Sequence, residues 1–197
     1  MNPVEALLSG GLVILPTDTV YGLCASAAEP EPARRLYAAK RRDPTKPSAL
    51  LAADLEGLRA ALPELSPRAD AVASALLPGP YTLVLPNPAR RYSWIAGSTP
   101  DSIGVRVPVL PEEARTVVAA VGCVVATSAN AAGGADPRRI EEIPAEIREA
   151  AAAVVDVGEL PGTPSTVLDV TGPEPRVIRE GAVPAAAALE LALAALG

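Results

Sequence analysis

Gly10-Gly11-Leu12-Val13-Ile14-Leu15-Pro16-Thr17-Asp18-Thr19-Val20-Tyr21-Gly22 reads as a buried strand that opens into a polar loop. Leu12 to Leu15 are apolar without alternation, two glycines precede them and Pro16 closes the run, which is the pattern of an interior strand. The loop then offers the hydroxyls of Thr17, Thr19 and Tyr21 and the carboxylate of Asp18. Open α/β sheets place their ligands at such strand ends. A second reading stands beside it: a turn in which Asp18 and the threonines bond their own backbone.

Working outward, Pro32 fits the first turn of a helix to about Lys40, with Leu36 and Tyr37 on its apolar side. The next stretch, Lys40 to Ser48 (KRRDPTKPS), holds both lysines of the chain, and the other basic residues are all arginine. Lysine is a compact point charge suited to phosphate, arginine a planar fork suited to bidentate contacts. The stretch is either a solvated basic loop or a phosphate-binding arm. Ala49 to Ala53 returns to the sheet, Asp54 caps a helix through Leu62, and Ser66-Pro67 starts another that ends at Pro78-Gly79-Pro80. Tyr81 to Leu85 and Ile103 to Val107 read as strands, the second placing Arg106 opposite its apolar neighbours. Arg106 is then a solvated edge charge or the partner of a ligand carboxylate or phosphate.

Pro111 opens a helix through about Ala120, and Cys123 to Ala126 is a strand running into Thr127-Ser128-Ala129-Asn130. Pro144 to Ala153 reads as helix, Val154 to Val157 and Val167 to Val170 as strands, and Pro184 to Leu196 as a final helix. Gly162 to Thr166 gives a third hydroxyl-bearing strand entry, and Val177-Ile178 leads to Arg179. Helices mixed with local hairpins predict an α/β fold with a mixed parallel and antiparallel sheet, in one domain over residues 1–197.

With 17 basic against 23 acidic residues the net charge is -6, which disfavours a general affinity for nucleic acid. There is no histidine, so the commonest general base and most transition-metal sites are excluded. Cys24 and Cys123 lack metal-ligand or disulfide spacing and read as core residues. The N-terminus lacks the pattern of a signal peptide and no apolar run reaches membrane-spanning length, which predicts a soluble, cytoplasmic protein without membrane partners. Neither GxxxxGK[ST] nor GxGxxG occurs. Three strand ends with hydroxyls, together with Lys40, Arg42, Lys46, Arg106 and Arg179, predict a concave site for a polyphosphate and a small polar substrate, a nucleotide-dependent transferase without a Walker motif.

Seven motifs in order, PTDTVYGL from Pro16, Lys40-x-Arg42-x-x-x-Lys46, PGPYTLVLP from Pro78, IGVRVP from Ile103, ATSAN from Ala126, PSTVLDV from Pro164 and IREG from Ile178, resemble those of the Sua5/YciO/YrdC family over about residues 5 to 183. The resemblance implies a twisted mixed sheet with flanking helices and a concave basic cavity. It implies threonylcarbamoyl-AMP synthesis from L-threonine, bicarbonate or CO2, and ATP, with pyrophosphate released and the product passed to proteins that modify ANN-decoding tRNAs. Arg42, Lys46, Lys40, Ser128, Asn130 and Arg179 would then serve ATP; Thr19, Arg106 and Ser165 would hold threonine, with Thr17, Tyr21 and Thr166 as further contacts. Mg²⁺ would arrive with ATP, held by phosphates and water rather than by the protein. Lys40, Arg42 and Lys46 would act by positioning and charge neutralisation. The resemblance also admits a double-stranded RNA or tRNA binder, or a YciO-like paralogue with another substrate. It departs from the family pattern at Ser48, where the family has leucine, near Leu51, where some members carry histidine, and at Ala132, where serine is common. The longer Sua5 type carries an extra C-terminal domain that this resemblance does not reach.

Overall fold

The structure, a computed structural model, describes residues 1–197. Seven helices, α1 (Pro3–Leu8), α2 (Pro30–Ala39), α3 (Leu55–Ala61), α4 (Pro67–Leu76), α5 (Glu112–Val121), α6 (Ala145–Ala150) and α7 (Ala185–Ala194), flank one sheet. Its strands are β1 (Leu12–Pro16), β2 (Tyr21–Ser26), β3 (Ala49–Ala52), β4 (Tyr81–Pro86), β5 (Ser102–Arg106), β6 (Cys123–Ser128), β7 (Ala151–Val154), β8 (Thr166–Asp169) and β9 (Arg176–Arg179). They lie in the order β7-β1-β2-β6-β3-β5-β4-β8-β9. The β1/β7, β3/β5 and β4/β8 pairs are parallel and the other five antiparallel, so the sheet is mixed, as the sequence predicts.

Side chains alternate across a strand, so each strand divides its residues between the two faces. On one face Ile14, Leu23, Leu50, Leu83, Val105, Val125 and Leu168 form the main core with α2, α3, α4, α6 and α7. On the other face Val13, Leu15, Cys24, Leu51 and Val124 pack under α1 and α5 in a smaller cluster. That cover stops part-way across the sheet. Beyond it the same face continues through Ala126, Ala49, Gly104 and Val84, which are in register with one another across four strands. No helix packs there, and the small side chains leave a hollow.

Local chemistry sets the element ends. The side chains of Asp54 and Ser66 accept from the N–H of Gly57 (2.7 Å) and Ala69 (3.2 Å), the N-caps anticipated from sequence. Both cysteines are buried and free, and burial pushes the Cys24 thiol up to about 12.

Four readings of the elements need correction, the first being Val154 to Val157, of which only Val154 is strand, as the last residue of β7. Tyr21 and Gly22 are strand rather than loop, because β2 pairs with β1 from Pro16↔Tyr21 onward and shortens the polar turn. Strand β6 runs on through Ser128, since Gly22↔Ser128 completes its pairing with β2. Ala151 to Ala153 belong to edge strand β7, not to a helix: alanine favours helix, but parallel pairing with β1 overrides that local preference. The short helix α1 was not anticipated. Asn2 caps it by accepting from the Val4 N–H (2.9 Å), with Pro3 in its first turn.

Candidate active site

The hollow is a cavity of about 410 Å³ whose charged lining consists of Arg42, Arg106, Arg179 and a single acid, Asp136. Thr17, Thr19, Thr82, Thr99, Ser102, Thr127, Ser128 and Ser165 supply hydroxyls around them. A Cβ added at Gly104 would sit 3.6 Å from the Ser48 carbonyl oxygen and 3.9 Å from Thr82 Cγ2, so the floor is low there because glycine paves it.

At one end, Arg106 projects from β5, which lies between β3 and β4; the alternative of an edge charge is thereby removed. Its Nη2 donates to Asp18 Oδ1 (3.0 Å) and Thr19 Oγ1 (3.2 Å), with the two charged side chains only 12% and 11% exposed. Asp18 Oδ2 accepts from the Val109 N–H at 3.1 Å. Burial raises the Asp18 carboxyl, and Arg106 works against that rise. Thr17 does what the turn reading expects: its Oγ1 accepts from the N–H of Thr19 and Val20 (both 3.2 Å) and donates to the Val20 carbonyl (2.7 Å). Thr17 thus fixes the turn, and Thr19 and Asp18 face Arg106. Across the floor Ser165 Oγ lies 2.8 Å from Thr82 Oγ1, while Arg179 Nη2 donates to the Ser165 carbonyl (2.7 Å) and hydroxyl (3.3 Å).

At the other end, Lys40 is buried beneath the lining. Its ammonium donates to the Ser128 carbonyl and to Asn130 Oδ1 (3.0 Å). Asn130 Oδ1 also accepts from Ser128 Oγ (2.8 Å), and its Nδ2 donates to the Gly134 carbonyl (2.7 Å) and Asp136 Oδ1 (3.1 Å). The amide is fully used. Lys40 and Asn130 therefore form a scaffold that aims Ser128 and Asp136 into the cavity. Arg42 lines the cavity directly, with Nη2 on the Pro47 carbonyl at 2.7 Å.

Burial, reinforced by the Arg42 charge and opposed by Asp136, holds the Lys40 ammonium down at about 8, from an ordinary 10.5. The folded value lies below the unfolded one. Between about 8 and 10.5 the unfolded chain therefore binds more protons, and this group makes stability rise with pH across that window. Because the chain has two lysines, NMR of ¹⁵N-lysine-labelled protein is expected to show one ε-nitrogen titrating near pH 8, absent in Lys40→Met. No lysine signal titrating near pH 8 would contradict the buried position.

Of the residues expected from sequence, the fold brings Thr17, Thr19, Arg42, Arg106, Ser128, Ser165 and Arg179 to one cavity. Lys40 and Asn130 stand behind it. Tyr21 lies in the main core on the far face, its single hydroxyl hydrogen within reach of the Gly158 carbonyl (2.8 Å) and of Asp156 Oδ1 (3.0 Å). Thr166 is also turned away: it donates to the Val183 carbonyl (2.6 Å) and accepts from Gly181 and Val183. Both sit one residue from a cavity-facing position, where strand alternation reverses the side chain. Lys46 is exposed on the loop and outside the lining. Thr82, Thr99, Ser102 and Asp136 were missed. Thr82 alone had a readable signal, a polar residue on the face of β4 opposite Tyr81 and Leu83. Ser48, the departure from the family pattern, is buried with its hydroxyl unpartnered.

Residues 5–181 match the Sua5/YciO/YrdC family, described under the words telomere recombination. The threonylcarbamoyl-AMP synthase of Pyrococcus abyssi is 32% identical over 89% of this chain, which spans 52% of that protein's length. The threonylcarbamoyl-AMP synthase of Alkalilimnicola ehrlichii is 35% identical over 79% of this chain and 80% of its own. Among solved structures, P. abyssi Sua5 complexed with L-threonine superposes with a TM-score of 0.86 at 30% identity, over 95% of this chain and 55% of that one. E. coli YciO superposes at 0.80 and 26% identity, over 92% of this chain and 88% of that one. No helix is long and apolar enough to cross a membrane. With the family match covering most of the chain and the same mixed sheet in both neighbours, this chain belongs to the Sua5/YciO/YrdC family.

Proposed function

We propose that this chain is a threonylcarbamoyl-AMP synthase, a nucleotidyltransferase that makes threonylcarbamoyl-AMP and pyrophosphate from L-threonine, CO2 or bicarbonate, and ATP. The observation that carries the reading is one cavity whose lining holds a buried Arg106 bonded to Thr19 together with Arg42 and Ser128. The names of the relatives support it, as does the L-threonine complex of P. abyssi Sua5.

Arg106 commits Nη2 to Asp18 and Thr19, and the rest of its fork takes the threonine carboxylate, with Thr19 and Ser165 completing that pocket. The neutral threonine amine attacks CO2 and loses one N–H proton to solvent to give a carbamate, and a carbamate oxygen attacks the α-phosphorus of ATP, whose bond to the bridging oxygen breaks as pyrophosphate leaves. This chemistry calls for positioning and neutralisation of negative charge, which suits a chain without histidine. Arg42 and Arg179 face the phosphates, Ser128 is held toward them by Lys40, and Lys46 folds over them from its exposed loop. Mg²⁺ bound with ATP would neutralise phosphate charge in the transition state. Residues 1–197 act as one domain, in the cytoplasm, and hand the product to proteins that transfer it to tRNA.

Arg42→Ala is expected to weaken ATP binding by about 1.5–3 kcal/mol, the range for a hydrogen bond to a charged group, with L-threonine binding retained in calorimetry. Arg59→Ala serves as comparison. Arg59 sits on α3, over the main core and away from the cavity, paired with Asp70 at 2.7 Å. Equal weakening by the two substitutions would contradict the placement of the phosphates.

A further inference from the structure

Asp136 is the one acidic side chain in the lining of a cavity whose other charged groups are three arginines. Its Oδ1 is pinned by the Asn130 amide at 3.1 Å, and that amide is itself pinned by Lys40, Ser128 and Gly134. Its Oδ2 has no protein partner. Asp136 is joined through Asn130 to Lys40 and Ser128, and Lys40 lies two residues from Arg42, which puts the carboxylate at the Arg42 end of the cavity. A bare carboxylate beside a polyphosphate repels it, and the repulsion strengthens as water is excluded. A scaffold that holds such a group in place therefore calls for a cation between the two.

We infer that Asp136 supplies a protein oxygen to the divalent cation that accompanies the nucleotide, so that the metal site is completed by ATP and does not exist in the protein alone. The inference rests on the ATP reading above, and it differs from the expectation that phosphates and water alone hold the metal. Mg²⁺ fits these donors: it is commonly held by one or two carboxylates together with substrate phosphates, and keeps several waters. The chain has no cluster of three or more His, Cys, Asp or Glu side chains able to hold a metal, so a single carboxylate has little affinity by itself. Other donors to Asp136, such as ribose hydroxyls or an ammonium group, would make it respond to the nucleoside or the amino acid and not to the metal.

The test is calorimetric titration of ATP into wild type and Asp136→Asn, with Mg²⁺ and with EDTA. Asparagine keeps the oxygen that accepts from Asn130 and removes the charge. The expected result is that Asp136→Asn weakens ATP on the order of ten-fold or more with Mg²⁺, and leaves metal-free ATP unchanged or bound more tightly. Mn²⁺ followed by EPR gives a second readout: wild type without nucleotide binds little, the protein with ATP holds Mn²⁺ more tightly than ATP alone does, and Asp136→Asn removes that gain. Equal weakening with and without metal would assign Asp136 to the nucleoside and overturn the inference. So would no change in either condition, or tighter binding in both. ATP binding in wild type with any of these patterns leaves the synthase reading standing, whereas no ATP binding under either condition overturns both.

Discussion

Replacing Arg106 with methionine is expected to destabilise the fold by about 3–5 kcal/mol, the cost of breaking a buried ion pair, and to abolish L-threonine binding. The pair to Asp18 at 3.0 Å is almost wholly enclosed. Without the guanidinium Asp18 is left as a buried carboxylate whose remaining partner is the Val109 N–H. Burial already raises that carboxyl, and the opposing charge is then gone. A folded value above the unfolded one means that the penalty grows as pH rises through the carboxylate range, so the loss is expected to be largest at neutral pH and smaller in acid. Adding Asp18→Asn to Arg106→Met is expected to recover much of the stability and none of the threonine binding. Denaturation in urea with calorimetry on the same samples separates the two effects. Threonine binding that survives in the double variant would show that the carboxylate is held elsewhere.

Gly97→Ala is expected to cost about 2–4 kcal/mol, as a left-handed backbone occupied by alanine together with a backbone collision, and to weaken ATP while sparing threonine. Gly97 has φ +62, and a Cβ there would meet the Thr45 carbonyl oxygen at 2.3 Å and the Pro47 nitrogen at 2.9 Å. Those are backbone atoms of the basic loop and cannot swing aside as a flexible side chain would. The loop is clamped on both sides of this contact, by Ser98 N–H on the Thr45 carbonyl (3.0 Å) and Ser48 N–H on the Ile95 carbonyl (2.9 Å). Arg42 is aimed by its bond to the Pro47 carbonyl, so a displaced loop carries the guanidinium with it. Unchanged ATP affinity in a measurably destabilised Gly97→Ala protein would detach the loop's placement from nucleotide binding.

These two positions also show what was legible in the sequence. Arg106 was readable as a functional residue because strand alternation set it against buried neighbours, and its two readings divided on whether β5 was an edge, which is a matter of strand order. Asp18 as its partner was not readable, since 88 residues separate them and only the sheet joins them. Gly97 gave no signal at all: its role exists only where the 93–99 segment meets the basic loop. Lys40 was rightly singled out as unusual, yet local sequence could not show that its ammonium, at the end of α2, is spent on Ser128 and Asn130 at the end of β6. Tyr21 and Thr166 were misplaced by a single residue of register, which in a strand turns a side chain to the other face. The mixed sheet itself followed from helices, hairpins and strand-like runs that local patterns do reveal.

The most direct measurement is pyrophosphate release from ATP with bicarbonate, in the presence and absence of L-threonine. Release that depends on threonine and is lost in Arg106→Met/Asp18→Asn is the predicted result. Equal release with and without threonine would contradict the assignment of this cavity to threonylcarbamoyl-AMP synthesis.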